Sequence, residues 1–326
     1  MTTSLRTRDG GPATGRPASR RSRGEAPFRY ASTGAGILLL VIMAAIAVFL
    51  IVEALPALQA NQGSFLGTLT WTPNNTEPSF GIAALAFGTL LSSLLALVMA
   101  LPVAVGVALF ISHYAPRRLA GVLGYVIDLL AAVPSVIYGL WGIIFLVPLV
   151  QGPYEFINEY LGFIPLFGGE SVSGYSIMTA SIILAIMILP IIAAISREVF
   201  LQVPRMHEEA ALALGATRWE VIKTAVLPFG RPGVISASML GLGRAMGETI
   251  AVALIFPATF GISFQILVPG GNSIAANIAN GFAEAGPIGR GALIASGLVL
   301  FIITLLVNTA ARLIVARRKE FSGAAA

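Results

Sequence analysis

PRMHEEAALALGATRWEVIKTAVLP, residues 204–228, lies between two long apolar runs at roughly 174–200 and 233–258. Pro204 suits a first helical turn, where its missing N–H would be unpaired anyway. Glu208 and Glu209 come early in that helix, where the dipole favours negative charge. Gly215 supplies a stop, because it accepts left-handed dihedrals without a Cβ clash. Thr217 and Glu220 have the spacing of a capping box and open a second short helix, which Pro228 is expected to end. The segment therefore reads as two helices joined by a turn. Met206, Ala210, Ala213 and Leu214 share one small apolar face, of the kind that fits a groove on a partner protein.

The flanking runs set the environment. The chain has 326 residues, 56% of them hydrophobic and only 11% charged, with a mean hydropathy of +0.87. Soluble domains carry about 25% charged residues. A bilayer crossing takes about 20 apolar residues, and six segments qualify: roughly 33–55, 81–112, 119–150, 174–200, 233–258 and 291–315. The expected architecture is an all-α membrane protein with six transmembrane helices. Residues 1–30 read as a disordered basic arm with Arg6, Arg8, Arg16, Arg20, Arg21, Arg23 and Arg29, residues 31–319 as the six-span domain, and 320–326 as a tail. The first apolar run exceeds a signal-peptide core of about 7–15 residues, so an uncleaved anchor is expected.

Lys and Arg alternate between successive loops. They occupy the N-terminal arm, Arg117 and Arg118, then Arg205, Arg218, Lys223 and Arg231, and finally Arg312, Arg317, Arg318 and Lys319. The intervening loops hold only Arg290, so both termini are expected in the cytosol. Positive charge distributed in this way follows topology and does not form a nucleic-acid patch. Trp71, Pro73, Tyr154, Phe156 and Tyr160 then fall near the outer interface, and the stretch 259–290 has room for a short re-entrant or surface helix. Cysteine is absent and only His113 and His207 are present, so thiolate chemistry and a His-based metal site are excluded. A P-loop needs a lysine after a glycine-rich loop, and neither Lys223 nor Lys319 has one. No nucleotide, cofactor or metal is expected on this chain.

Within the fifth span, GLGRAMGET at 241–249 places Arg244 and Glu248 near mid-bilayer. Each such charge costs on the order of 2.5–3.5 kcal/mol on insertion scales and reads as a functional site by default. At i and i+4 they share a helix face and are expected to pair; a buried structural pair is the competing reading. An arginine fork suits an oxyanion. Gly241, Gly243 and Gly247 would let neighbouring backbones approach. Pro134 predicts a kink whose freed carbonyl, with Ser135 and Tyr138 nearby, faces either the pathway or another helix. Ser92 and Ser93 are expected to bond their own backbone. Asp128 is expected near the cytosolic end, paired with a basic neighbour.

At Glu209, Ala210, Ala211, Gly215, Leu227 and Pro228 the chain resembles the coupling loop of binding-protein-dependent ABC importer permeases, with pattern E-A-A-x3-G-x9-I-x-L-P. Ala225 departs from it by standing in the Ile slot. LAAVPSVIYGLWG at 130–142 and GLGRAMGET at 241–249 resemble phosphate-importer permeases of the PstC type, with likeness from about 80 to 315. The resemblance implies an ABC importer type I permease fold, with Glu209, Ala210, Ala211, Leu214 and Gly215 coupling to an ATPase. It implies that Arg244 and Glu248, with Thr249, Ser135 and Tyr138, line the substrate pathway. It further implies a second, PstA-like permease, two PstB-like ATPase subunits that bind ATP and Mg, and an external PstS-like phosphate-binding protein. A PstA-type permease, or one for sulfate or molybdate, remains an alternative on these residues. A stand-alone anion transporter or channel is the alternative class, although it has no need of an ATPase-docking loop. No nucleophile–base constellation suggests a membrane enzyme.

Overall fold

In a bilayer every backbone polar group must be satisfied within the protein, which leaves helices as the units of an apolar chain like this one. The structure, a computed structural model, describes the backbone of residues 25–323 and the side chains of residues 27–313. The arm at 1–24 and the last residues, 324–326, lie outside the described residues. Contacts divide the chain into two units, residues 1–49 and 50–326. The described part of the first is a single helical stretch.

Twelve helices and one small hairpin make up the described residues. They are α1 (Glu25–Ala60), β1 (Trp71–Thr72), β2 (Ser79–Phe80), α2 (Ala83–Leu109), α3 (Arg117–Ala131), α4 (Ser135–Trp141), α5 (Val147–Leu161), α6 (Ile177–Leu201), α7 (Arg205–Ala213), α8 (Arg218–Val221), α9 (Leu227–Met246), α10 (Ile250–Ile255), α11 (Ile274–Gly281) and α12 (Pro287–Gly323). Helix α1 begins at Glu25 and α12 runs to Gly323, so helix extends into both ends of the chain expected to be arm and tail. Among the described residues, six helical stretches are long and apolar enough to cross a membrane.

Helix α6 is the centre of the larger unit. Its Ile183, Leu184, Ile188 and Ile192 are buried to within 1%. On α2, Ala96, Ala100, Ala104 and Ala108 recur every four residues and are equally buried. Such small side chains let two helices approach closely without an apolar driving force between them. Helix α9 also runs antiparallel to α6, with Gly230 against Phe200, Gly233 against Val199 and Gly241 against Ile192. A Cβ at Gly241 would lie 2.8 Å from the end of the Ile192 side chain, which would have to shift to admit it.

The third crossing differs from its expected form. Length and hydropathy select Ser135–Leu161, but the register against α6 shows which residues cross. Asp128 meets Arg197 near the C-terminal end of α6, Gly142 meets Ile183, and Tyr154 bonds Thr179 near its N-terminal end. The crossing is therefore shared by α3, α4 and the turn after it, close to the expected 119–150, while α5 packs against the far end of α6. It is not continuous. Ala132 to Pro134 interrupt it at mid-depth, with Pro134 extended at φ −59° and ψ 136°. The predicted kink is a complete break, because proline disfavours the helical region for the residue before it. Asp128 does pair with a basic neighbour, Arg197, at 3.8 Å.

The fifth crossing also departs from expectation. Helix α8 does not stop at Pro228. It continues through a π-turn, Ile222–Val226, into α9. Two further π-turns occur at Phe110–Tyr114 and Gly142–Leu146. Each ends two residues before a proline: Pro116, Pro148 and Pro228. The residue in between donates five residues back, as Ala115 does to Phe110, Val147 to Gly142 and Leu227 to Ile222. A proline has no N–H, and its ring presses on the carbonyl four residues earlier. At Pro148 and Pro228, where helix continues, the wider turn relieves that contact, whereas at Pro116 the chain is already extended; π-turns are otherwise rare. Short α11, capped by Ser273 accepting from the Ala276 N–H at 3.1 Å, is the small helix anticipated within 259–290.

Candidate functional site

Two places stand apart: the exposed helix α7 and the paired helix breaks beside α6.

Pro204 is the residue before the first turn of α7, not a member of it. No residue of α7 is buried. Met206 is 78% exposed and Leu214 90%, on the apolar face predicted from the sequence. Gly215 has φ +85°, the left-handed region that favours glycine. The capping box is complete. The Thr217 N–H donates to Glu220 Oε2 at 2.7 Å, and the Glu220 N–H donates to Thr217 Oγ1 at 3.4 Å. Glu209, Ala210, Ala211, Leu214 and Gly215 therefore stand on an exposed projection at one end of the helix bundle. Its one polar tie to a span, among the described residues, is Glu208, 3.6 Å from His113 at the foot of α2. That tie was not foreseen, since the two residues lie far apart in the chain.

The second place is built by the breaks at 132–134 and 247–249. Helix α9 ends at Met246 and α10 starts at Ile250, which leaves Gly247, Glu248 and Thr249 as a non-helical link. The antiparallel register of α9 on α6 puts this link near mid-depth. Helix α4 packs against α10, and a Cβ on Gly139 would come within 2.8 Å of the Ala251 Cα. The two breaks are thus neighbours. Ser135 and Tyr138 come from one, and Arg244, Glu248 and Thr249 from the other.

The expected Arg244–Glu248 pair is not formed. Among the described residues no ion pair joins them. The reason is the break itself, since four-residue spacing aligns side chains only along an unbroken helix. Glu248, 8% exposed, turns inward, and its Oε1 accepts from the Ala251 N–H at 3.2 Å. That bond satisfies one of the free donors at the start of α10. Thr249 Oγ1 donates to the Gly247 carbonyl at 3.1 Å. Arg244 is left on the partly open face of the chain, with Leu240, Gly247 and Ile250 exposed around it. A Cβ on Gly243, beside it, would meet nothing within 4 Å, so Gly243 is not small for packing within this chain, unlike Gly241.

Tyr138 Oη donates to the Leu130 carbonyl at 3.0 Å. This is the carbonyl that Pro134 frees, and it is turned to a side chain of the same crossing. Ser92 and Ser93 return their hydroxyls to the Gly88 and Thr89 carbonyls at 2.7 and 2.6 Å, as expected. The residues that sequence reasoning missed are Gly139 and Ala251, where the helices that follow the two breaks touch. The three-residue spacing of Gly139 and Gly142 was the signal that could have found them. The arrangement offers one cation on an open face, a buried carboxylate and three hydroxyl-bearing side chains, Ser135, Tyr138 and Thr249, beside two interrupted helices. Interrupted helices at membrane depth are tolerated where they line a cavity or are covered by protein.

The family described as "Binding-protein-dependent transport system inner membrane component" matches residues 100–320. The chain is similar to the "Phosphate transport system permease protein PstC 2" of Mycobacterium tuberculosis, 48% identical over 297 residues, covering 90% of this chain and 92% of that one. It is similar to the "Phosphate transport system permease protein PstC" of Xylella fastidiosa, 41% identical over 308 residues, covering 92% and 94%. Its fold is similar to that in the crystal structure of a bacterial ABC transporter involved in the import of the acidic polysaccharide alginate. There the TM-score is 0.55 at 18% identity, covering 89% of this chain and 98% of that one.

Proposed function

The chain belongs to the family of binding-protein-dependent transport system inner membrane components, and from that premise we propose how it works. It is the membrane-spanning permease subunit of an ATP-driven phosphate importer. The observation that carries the reading is α7, a helix bearing the family's motif with none of its residues buried in this chain. The cargo rests on the likeness to phosphate permeases over nine-tenths of the chain.

In this reading α7 faces the cytosol, both termini lie on that side, and α7 enters a groove on a separate ATPase that holds ATP and Mg. Two such subunits serve this chain and a second, related permease. An external phosphate-binding protein delivers solute at the opposite end. Closure of the ATPases draws the coupling helices together, and α7 passes that motion to α2 through His113 and to the fifth crossing through α8. The crossings broken at 132–134 and 247–249 form half of the pathway. Arg244 presents its guanidinium to the passing oxyanion, Tyr138, Ser135 and Thr249 flank it, and Glu248 holds the start of α10. Discontinuous helices with a mid-membrane site are a recurrent construction for alternating access.

The test is uptake into vesicles containing the purified complex, with ATP inside the ATPase-facing compartment. Phosphate uptake that sulfate does not match supports the assignment. Equal or preferential sulfate uptake overturns the cargo, and uptake without the ATPase overturns the class.

A further inference from the structure

A cavity of about 360 Å³ opens at the end of the bundle opposite α7, between the β1–β2 hairpin and the α11–α12 turn. Its walls are firmly built. Asn74 Oδ1 accepts from the Gly286 N–H at 3.2 Å, joining hairpin to turn. Trp71 packs edge-on against Phe80, with ring centroids 5.7 Å apart, and stacks on Phe260 at 6.1 Å.

Asn277 of α11 lines this cavity and is only 6% exposed, yet its Nδ2 has no hydrogen-bond partner among the described residues. A buried donor left unmade costs about 1–3 kcal/mol. The side-chain amides of Asn75 and Asn280 and the carboxylate of Glu284 also line the space, and among the described residues no cationic side chain does. Primary amides carry both a donor and an acceptor, the same pair that a peptide group offers. A carboxylate beside them selects a cation and repels phosphate. The loops at this end extend the same charge. Residues 61–82, 147–176 and 256–290 hold Glu77, Glu155, Glu159, Glu170 and Glu284 against the single Arg290.

We propose that this cavity is a docking socket for the external binding protein. A loop of that protein inserts a lysine or arginine side chain towards Glu284, while its backbone pairs with the amides of Asn277 and Asn280. The acidic rim steers the approach, since complementary charge acts chiefly on encounter and register. The proposal rests on the function assigned above. It adds a place on the surface and a sign of charge.

The experiment uses the full transporter complex in lipid nanodiscs, with phosphate-loaded binding protein titrated and ATP hydrolysis recorded. Glu284→Lys is expected to raise the half-maximal concentration of binding protein at least about tenfold, roughly the value of one lost close charge pair. Maximal stimulation at saturation is retained, which a general structural lesion would lower. Glu284→Asp stays near wild type, and Asn277→Leu raises the half-maximal concentration severalfold. If Glu284→Lys and Asn277→Leu both titrate as wild type does, the cavity holds ordered water only and the proposal is overturned. If phosphate-loaded binding protein leaves the wild-type complex unstimulated, the cargo assignment and the socket fall together.

Discussion

The phenol of Tyr138 donates at 3.0 Å to the carbonyl of Leu130, eight residues earlier and across a break in the same crossing. Pro134 leaves that carbonyl without its usual helical donor, and the other donor to it is the Val133 N–H at 3.3 Å. Tyr138→Phe removes the shorter of the two bonds and keeps the ring. The expected loss is about 0.5–1.5 kcal/mol, read as a lower Tm of the assembled complex. An unchanged Tm with unchanged uptake would show that the bond does not hold the break.

Arg244 and Glu248 are expected to respond differently to neutralisation. Arg244 has no ion-pair partner among the described residues, so Arg244→Gln should leave assembly intact while abolishing phosphate uptake. Loss of the complex on size-exclusion chromatography would make Arg244 structural instead. Glu248→Gln keeps an oxygen for the Ala251 N–H, so the start of α10 survives. Glu248→Ala removes that acceptor, at about 0.5–2 kcal/mol. Comparing their Tm values separates the capping role from the charge.

Gly215 combines φ +85° with empty space around the position of a Cβ. Gly215→Asp therefore meets no clash and acts through the backbone, at about 1–2 kcal/mol for a left-handed residue, and through a negative charge on the surface proposed to dock the ATPase. The expected result is loss of ATPase binding and of uptake, with the spans still folded. Co-purification of the ATPase at wild-type stoichiometry with normal uptake would remove α7 from the coupling role.

Pro228 sets the π-turn at Ile222–Val226. Pro228→Ala restores an N–H and removes the ring, so the turn should tighten towards α-helical geometry. One residue of tightening rotates α8 by about 100° relative to α9, given roughly 3.6 residues per turn. We expect ATP hydrolysis to continue with uptake reduced severalfold. Hydrogen exchange across 222–228 reports the tightening directly, and an unaltered exchange pattern with unaltered uptake argues against the proline as its cause.

The local structure of the 204–228 loop was largely legible from the sequence. The left-handed Gly215 and the Thr217–Glu220 capping box appear where the residues predict them, whereas Pro204 stands just before the first turn of α7 and the second helix runs on past Pro228. The sites at the breaks were legible as residues but not as geometry. Arg244 and Glu248 were placed on one helix face, and the structure puts a helix end between them.

What the sequence alone determined is therefore what short-range rules govern: the number of apolar crossings, the caps, the turn residues, and the charge pattern from which an orientation is proposed. Each depends on residues within about four positions of one another, the reach of a helical turn, or on a sum over one segment. The tertiary structure decided the rest. Whether Pro134 kinks or severs a crossing depends on what takes up the Leu130 carbonyl, and the residue that does so lies beyond the break. Which residues form the third crossing was settled by register against α6, through Asp128 on Arg197 and Gly142 on Ile183. The meeting of α4 and α10 at Gly139 and Ala251 joins residues far apart in the chain. No local propensity encodes such a meeting, because it arises from packing that forms only when α4, α6 and α10 are brought together.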